Sequence, residues 1–198
     1  MGKVTVIENL TLDGVMQAPG APDEDTRGGF SHGGWAAPYS GDAMNRVLAR
    51  DGGRPTAMLL GRHTYVRFAS FWPQQPPNPF TEVLSRQTKY VASATLRDPL
   101  PWENSVLLEG DAAVAVQDLK AREPAGIVVL GSGALVRSLA GHGLVDEYIL
   151  LFHPLLLGSG TRLFDDTVPR TPLELVASEP TTTGVVIATY RPSVPPAR

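Results

Sequence analysis

The chain contains no cysteine. Disulfide frameworks, cysteine-ligated zinc, iron–sulfur clusters and thiol nucleophiles are thereby excluded. Neither sign of charge dominates: 17 Lys and Arg stand against 20 Asp and Glu, a net −3. General nucleic-acid binding usually shows as a basic excess, so no nucleic-acid partner is expected. No apolar run approaches the roughly 18 residues of a membrane span, so no membrane association is expected. The opening residues, Met1 to Ile7, form no long apolar stretch before Glu8. A secretory signal is therefore not expected, and the default location is cytoplasmic.

Familiar catalytic signatures are missing as well. There is no Gly-x-Ser-x-Gly elbow, which argues against a hydrolase of that type. There is no phosphate loop ending in Gly-Lys-Ser or Gly-Lys-Thr. The four histidines, His32, His63, His142 and His153, have no two at metal-ligand spacing, so no metal site is expected. Asp165-Asp166 reads as a cap or turn.

What remains is a globular composition. Hydrophobic residues make up 42% of 198 and charged residues 19%, enough for a full core. One domain is expected over residues 1–192, followed by a Pro-rich tail, 193–198. With 20 Gly and 18 Pro, turns are abundant.

Short β-rich apolar runs predict strands at Val4–Leu10, Ala57–Leu60, Lys89–Ser93, Ser105–Glu109 and Gly126–Leu130. The apolar stretch Val145–Leu157 reads as a buried strand running into a loop. Leu173–Glu179 and Gly184–Tyr190 read as a closing antiparallel pair with Thr181–Thr183 at the turn. Helices are predicted at Asp42–Arg50, Arg62–Phe71, Phe80–Arg86, Ala112–Arg122 and Ala134–Ala140, the first stopped by Asp51-Gly52-Gly53. Alternating strands and helices, then strands alone, predict an α/β fold with a mixed, mostly parallel sheet and an antiparallel edge. The segment Thr11–Pro38 has no period. A loop of that length is usually a lid, a binding loop or a disordered segment, and Val15–Pro38 reads as a lid.

Two strand-to-helix turns carry chemical potential. In Leu59-Leu60-Gly61-Arg62-His63-Thr64-Tyr65 a helix opens directly after a buried strand. Unpaired N–H groups and the helix dipole favour an anion there. Arg62 adds a forked cation suited to phosphate. In Val128-Val129-Leu130-Gly131-Ser132-Gly133-Ala134-Leu135 small residues permit backbone to approach a pyrophosphate. Val136 stands where the dinucleotide fingerprint has Gly or Ala, and no acid follows about 20 residues on, so an ordinary Rossmann dehydrogenase lacks support. Each turn, alone, also suits a plain tight turn.

Together with Thr11-Leu12-Asp13-Gly14 and with Pro154-Leu155-Leu156-Leu157-Gly158-Ser159-Gly160-Thr161-Arg162-Leu163-Phe164, these motifs run in an order that resembles the dihydrofolate reductase-like superfamily. More closely, the chain resembles the reductase domain of bifunctional riboflavin-biosynthesis deaminase/reductase proteins and their stand-alone bacterial relatives. The resemblance implies a three-layer dihydrofolate reductase-like fold, NADPH as cofactor and a homodimer. It implies that Gly61, Arg62 and Thr64 receive the pyrophosphate and the adenosine 2′-phosphate, with His63 a further phosphate contact and Ser93 near the adenosine. It also places Gly131, Ser132, Gly133 and Ala134 on the pyrophosphate, and Leu12, Asp13 and Gly14 along the nicotinamide.

The implied activity is hydride transfer to a small heterocyclic or ribitylamino-pyrimidine-like substrate. A pterin reductase and a non-catalytic nucleotide-binding module of the same fold are the alternatives. Dihydrofolate reductases place an acid two residues after Trp-x-x-Pro. Here Trp35-Ala36-Ala37-Pro38 is followed by Asp42 four residues later. Ser40 and Arg46 match the riboflavin reductases' ribose-phosphate residues loosely. The candidate proton relays are Asp13 and Asp42, each of which also suits a turn or helix cap. The stretch Val145–Leu157 either supplies a dimer strand or lies within one subunit.

Overall fold

The computed structural model describes residues 1–39, 41, 43–49 and 57–193. Among them, eight strands form one sheet flanked by five α-helices. The strands are β1 (Val4–Thr11), β2 (Ala57–Gly61), β3 (Lys89–Ala92), β4 (Ser105–Leu108), β5 (Ile127–Leu130), β6 (Glu147–His153), β7 (Leu173–Pro180) and β8 (Val186–Pro192). The helices are α1 (Ala43–Ala49), α2 (Arg62–Phe71), α3 (Pro79–Arg86), α4 (Ala112–Arg122) and α5 (Gly133–Gly141). The strand order is β4-β3-β2-β5-β1-β6-β8-β7. Pairings from β4 to β6 are parallel, and β8 joins β6 and β7 antiparallel. This is the mixed α/β sheet, with an antiparallel C-terminal edge, that the alternation of motifs requires.

Side-chain alternation in β1 sets the layers. Val4, Val6 and Leu10 join Leu59, Val129 and Leu150 against Val116 and Leu119 of α4 and Leu135, Val136 and Leu139 of α5. On the other face Ile7, Ile149, Leu151 and Ile187 pack against Ala43 and Val47 of α1. Farther along that face, Tyr65 of α2 and Leu84 of α3 cover Met58, Leu60 and Val91. Tyr65 is fully buried, and its hydroxyl accepts the Trp102 N–H at 3.1 Å. Asp111 caps α4 by accepting the N–H groups of Ala113 and Val114.

The apolar stretch at Val145–Leu157 resolves into β6, paired on one side with β1 and on the other with β8. It lies within the subunit. The last strand begins at Val186 and not at Gly184, because the Thr181 hydroxyl accepts the Val185 N–H and closes the turn there. The Asp42 cap, the Asp51-Gly52-Gly53 stop and nearly all of the tail lie outside the described residues.

The loop after β1 has a small core of its own, formed by Val15, Ala18, Phe30, Trp35 and Ala36. Gly160 is the contact point for it. Its φ is +111°, and a Cβ would lie 2.6 Å from the Phe30 ring and 2.8 Å from Val15. Only glycine fits there. Beneath the loop, His153 is buried against Trp35, ring centroids 5.1 Å apart. Its Nε2–H donates to Asn9 Oδ1 at 3.0 Å, while Nδ1 has no hydrogen-bond partner among the described residues.

Burial pushes His153 down to about 4 from the usual 6.5. Protonation therefore favours the unfolded chain. The stability that depends on a neutral ring is complete above about pH 6.5 and is lost as pH falls toward 4. At about 1.36 kcal/mol per pKa unit the loss reaches about 3 kcal/mol. Urea unfolding of His153→Leu should show a correspondingly flatter fall in stability between pH 7 and pH 4; an unchanged fall would assign the acid sensitivity to other groups.

Candidate functional site

Two strand–helix turns stand side by side at the carboxyl edge of the parallel strands. β2 ends at Gly61, and α2 opens at Arg62 with no side chain capping it. β5 ends at Leu130, and Gly131 and Ser132 both take left-handed backbone (φ +61° and +69°) before α5 opens, again without a side-chain cap. A Cβ on Gly131 would sit 3.1 Å from the Thr64 side chain. Ser132 is not glycine, and left-handed backbone costs such a residue roughly 1–3 kcal/mol. Its hydroxyl compensates. Ser132 Oγ accepts the Gly61 N–H at 2.8 Å and donates to Thr64 Oγ1 at 2.8 Å. The two turns are thus tied by one oxygen, and the Thr64 hydroxyl keeps its own proton to give.

The turns form one side of a cleft of about 1550 Å³. Its floor is Ile7-Glu8-Asn9 of β1, which runs on past the point where β2 and β5 stop. The facing wall is the segment from Met16 to Phe30, with Ser159–Thr161 beside it. Gln17 anchors that wall: its amide nitrogen donates to the carbonyls of Asp25 and Arg27, and its amide oxygen accepts from the Thr161 N–H and hydroxyl. Asp23 of the wall pairs with Arg67 of α2 at 3.0 Å and bridges the cleft mouth.

Four arginines line the cleft. Arg27 pairs with Asp25, Arg67 with Asp23 and Arg137 with Asp165. Arg62 has no carboxylate partner among the described residues. Its guanidinium donates to Thr95 Oγ1 at 3.0 Å and meets His63 Nε2 at 3.0 Å. Partial burial, then the charges of Arg27 and Arg62, lower the His63 pKa. That leaves a neutral ring, exposed, beside an exposed cation.

Gly61, Arg62, His63, Thr64, Gly131, Ser132, Gly133 and Ala134 all line the cleft. Ser93 does not. Its hydroxyl accepts the N–H groups of Thr95 and Leu96 and so shapes the turn that delivers Thr95 to Arg62. Leu12, Asp13 and Gly14 also lie away from the cleft lining. Asp13 clamps two loops: its carboxylate accepts from the Thr11 hydroxyl at 2.6 Å and from the N–H groups of Leu157 and Gly158. The Thr11 bond first, then those backbone donors, hold it down to about 2. A carboxylate so committed has the geometry of a clamp and holds no proton at neutral pH. Asp42 lies outside the described residues.

The cleft also contains residues that the motifs do not mark. Thr95 and Arg27 sit in irregular loops, where spacing carries no signal. Glu8 is different: it is the one charged residue of Val4–Leu10 and so stands in plain view in the sequence. Among the described residues no group of three or more His, Asp or Glu is placed to hold a metal ion. No helix among them is long and apolar enough to cross a membrane.

The model of a family described as the RibD C-terminal domain matches residues 2–187. The uncharacterized protein YyaP of Bacillus subtilis (strain 168) is 30% identical over 139 residues, 67% of this chain and 72% of that one. A solved structure of a protein assigned to riboflavin biosynthesis, from Shewanella sp. PV-4, superposes with a TM-score of 0.67 at 20% identity, covering 97% of this chain and 99% of that one. A pyrimidine reductase-like protein from Corynebacterium diphtheriae gives 0.65 at 13% identity, covering 98% and 92%. The dihydrofolate reductase of Enterococcus faecalis, solved with NADP(H) and RAB-propyl, gives 0.60 at 14% identity, covering 98% of each. The fold is therefore dihydrofolate reductase-like.

Removing the Ser132 hydroxyl should part the two turns. Ser132→Ala leaves the Gly61 N–H without its acceptor and keeps the left-handed strain, a cost of about 1–3 kcal/mol. Urea unfolding at neutral pH reads it. A variant as stable as the parent would show that the turns are held by packing alone.

Proposed function

The chain belongs to the RibD C-terminal domain family, and from that premise we propose that it is an NADPH-dependent reductase of a small heterocycle, of the ribitylamino-pyrimidine kind. The observation that carries this reading is the pair of uncapped helix starts, tied by Ser132, beside an arginine with no carboxylate partner. N–H groups at both starts suit a pyrophosphate. Arg62, with Thr95 and His63 around its guanidinium, suits a terminal phosphate such as the adenosine 2′-phosphate. Gly131 admits no side chain without crowding Thr64, as close approach of backbone to a ligand requires.

When bound, the cofactor supplies the hydride from its reduced nicotinamide. The chain's own residues do the rest. The turn from Gly131 through Ala134 would hold the phosphates, and Gly61, its N–H given to Ser132, would border them. Thr64 donates its remaining proton to them. The wall from Met16 to Phe30, pinned by Gln17, keeps water from the reacting end. Ile7 and Met44 lie toward the α1 face of the cleft, where a flat substrate ring would stack.

A homodimer belongs to the same reading. β7 is the edge strand, and it leaves Leu173, Leu175 and Val176 exposed. Exposed apolar edges usually mark contact surfaces.

The decisive measurement is a titration with NADPH and NADH. Arg62→Ala should erase most of a preference for NADPH of ten- to a hundredfold, the worth of one charge-assisted bond at roughly 1.5–3 kcal/mol. A variant that still prefers NADPH strongly would move the phosphate to another cation. Light scattering should give twice the chain mass at micromolar concentration and the monomer mass for Leu175→Lys. A monomeric parent protein would overturn the dimer.

A further inference from the structure

Glu8 is a carboxyl without a structural reason to be there. It lies in the middle of β1, opposite Leu150 in the β6 register. Strand alternation turns it to the same face as Val6 and Leu10, the face covered by α5. The residue is only 4% exposed, and its Oε1 is fully buried with no hydrogen-bond partner. No described residue bonds to its other oxygen. A leucine in its place would pack and carry no desolvation cost, since an unpaired buried polar group is costly. Yet this carboxyl borders the cleft, on the side where Met16 and Gly131 to Gly133 also line it.

Burial first, and the nearby Glu24 charge second, push this carboxyl well above its usual range. A neutral carboxyl carries a donor and an acceptor side by side. Its complement is the edge of a planar amide, which carries an acceptor and a donor in the same arrangement. A cofactor with its phosphates at the Gly131 turn would extend along the floor that Glu8 shares with Ile7 and Asn9. Resting on the cofactor reading above, we propose that Glu8 is a ligand-binding residue that grips the carboxamide of the nicotinamide through paired hydrogen bonds.

The charged and titratable groups on the elements around Glu8 are otherwise occupied. Asp25 and Arg27 pair with each other. Arg137 of α5 is turned to Asp165, and Lys120 of α4 to Asp146. Burial keeps Tyr148 of β6 neutral, at about 12. Glu24 accepts the Gly20 and Ala21 N–H groups and faces Glu8 as a like charge only. A rise in pH that ionises Glu8 therefore removes its donor, and no neighbouring cation replaces it.

The experiment titrates the parent protein, Glu8→Gln and Glu8→Leu at neutral pH with NADPH and with 2′-phospho-ADP-ribose, which lacks the nicotinamide. Glu8→Leu should bind NADPH about tenfold more weakly or worse and bind 2′-phospho-ADP-ribose as the parent does. Glu8→Gln keeps one donor and one acceptor, so it should bind NADPH about as well as the parent does. In the parent, NADP⁺ should outbind its 3-acetylpyridine analogue, which has no amide N–H; Glu8→Leu should not discriminate. Unchanged NADPH affinity in Glu8→Leu overturns the proposal and turns the carboxyl toward an amide edge of the substrate. Equal loss of both ligands, or a Glu8→Gln variant that loses NADPH as Glu8→Leu does, overturns it in favour of a structural role. A parent that binds neither ligand overturns the cofactor reading itself.

Discussion

One hydroxyl oxygen organises the site. Ser132 Oγ lies between the Gly61 N–H and the Thr64 hydroxyl, so the ends of β2 and β5 cannot drift apart. Everything on that side of the cleft follows. α2 and α5 open next to each other, their first N–H groups converge, and Arg62 stands at the rim with Thr95 against it. The strained backbone at Ser132 is offset by the hydrogen bonds that its hydroxyl makes to Gly61 and Thr64. Strain and bond are two halves of one device.

The opposite side works by a different principle. The wall from Met16 to Phe30 has no regular secondary structure of length. It holds its shape through a small apolar core around Trp35 and through Gln17, whose single amide serves both strands of the loop and Thr161. Carboxylates are distributed to match. Asp23, Asp25 and Asp165 neutralise three of the cleft's arginines, and Arg62 has no carboxylate beside it among the described residues. The result is a cleft whose positive potential is concentrated at one end.

Much of this was legible in the residues. β2, α2, β5 and α5 announced themselves because each buried run ends at a glycine and each helix starts directly after it. The eight cleft residues at Gly61–Thr64 and Gly131–Ala134 fell on those ends. The loops were opaque, and for a physical reason: Thr95 reaches Arg62 only because Ser93 shapes a turn, and no period records such a contact. Leu12, Asp13 and Gly14 followed a strand as a binding segment would, but the Thr11 hydroxyl and the Leu157 and Gly158 N–H groups draw Asp13 away to clamp the loops. Glu8 was the reverse case. The one charged residue of the first strand stood in plain view, yet strand patterning treats it as an exception and passes over it.

The bonds of the Ser132 hydroxyl join residues 71 and 68 positions apart in the chain. The floor comes from the first strand, and the anchor for the wall comes from residue 161. No contiguous piece of the polypeptide thus contains the cleft, and a fragment or partly folded chain cannot assemble it. A ligand that occupies the cleft binds the finished sheet alone and draws the population toward it by mass action. Occupancy becomes a measure of completed folding: resistance to proteolysis conferred by such a ligand would extend to the sheet as a whole, from the first strand to the last.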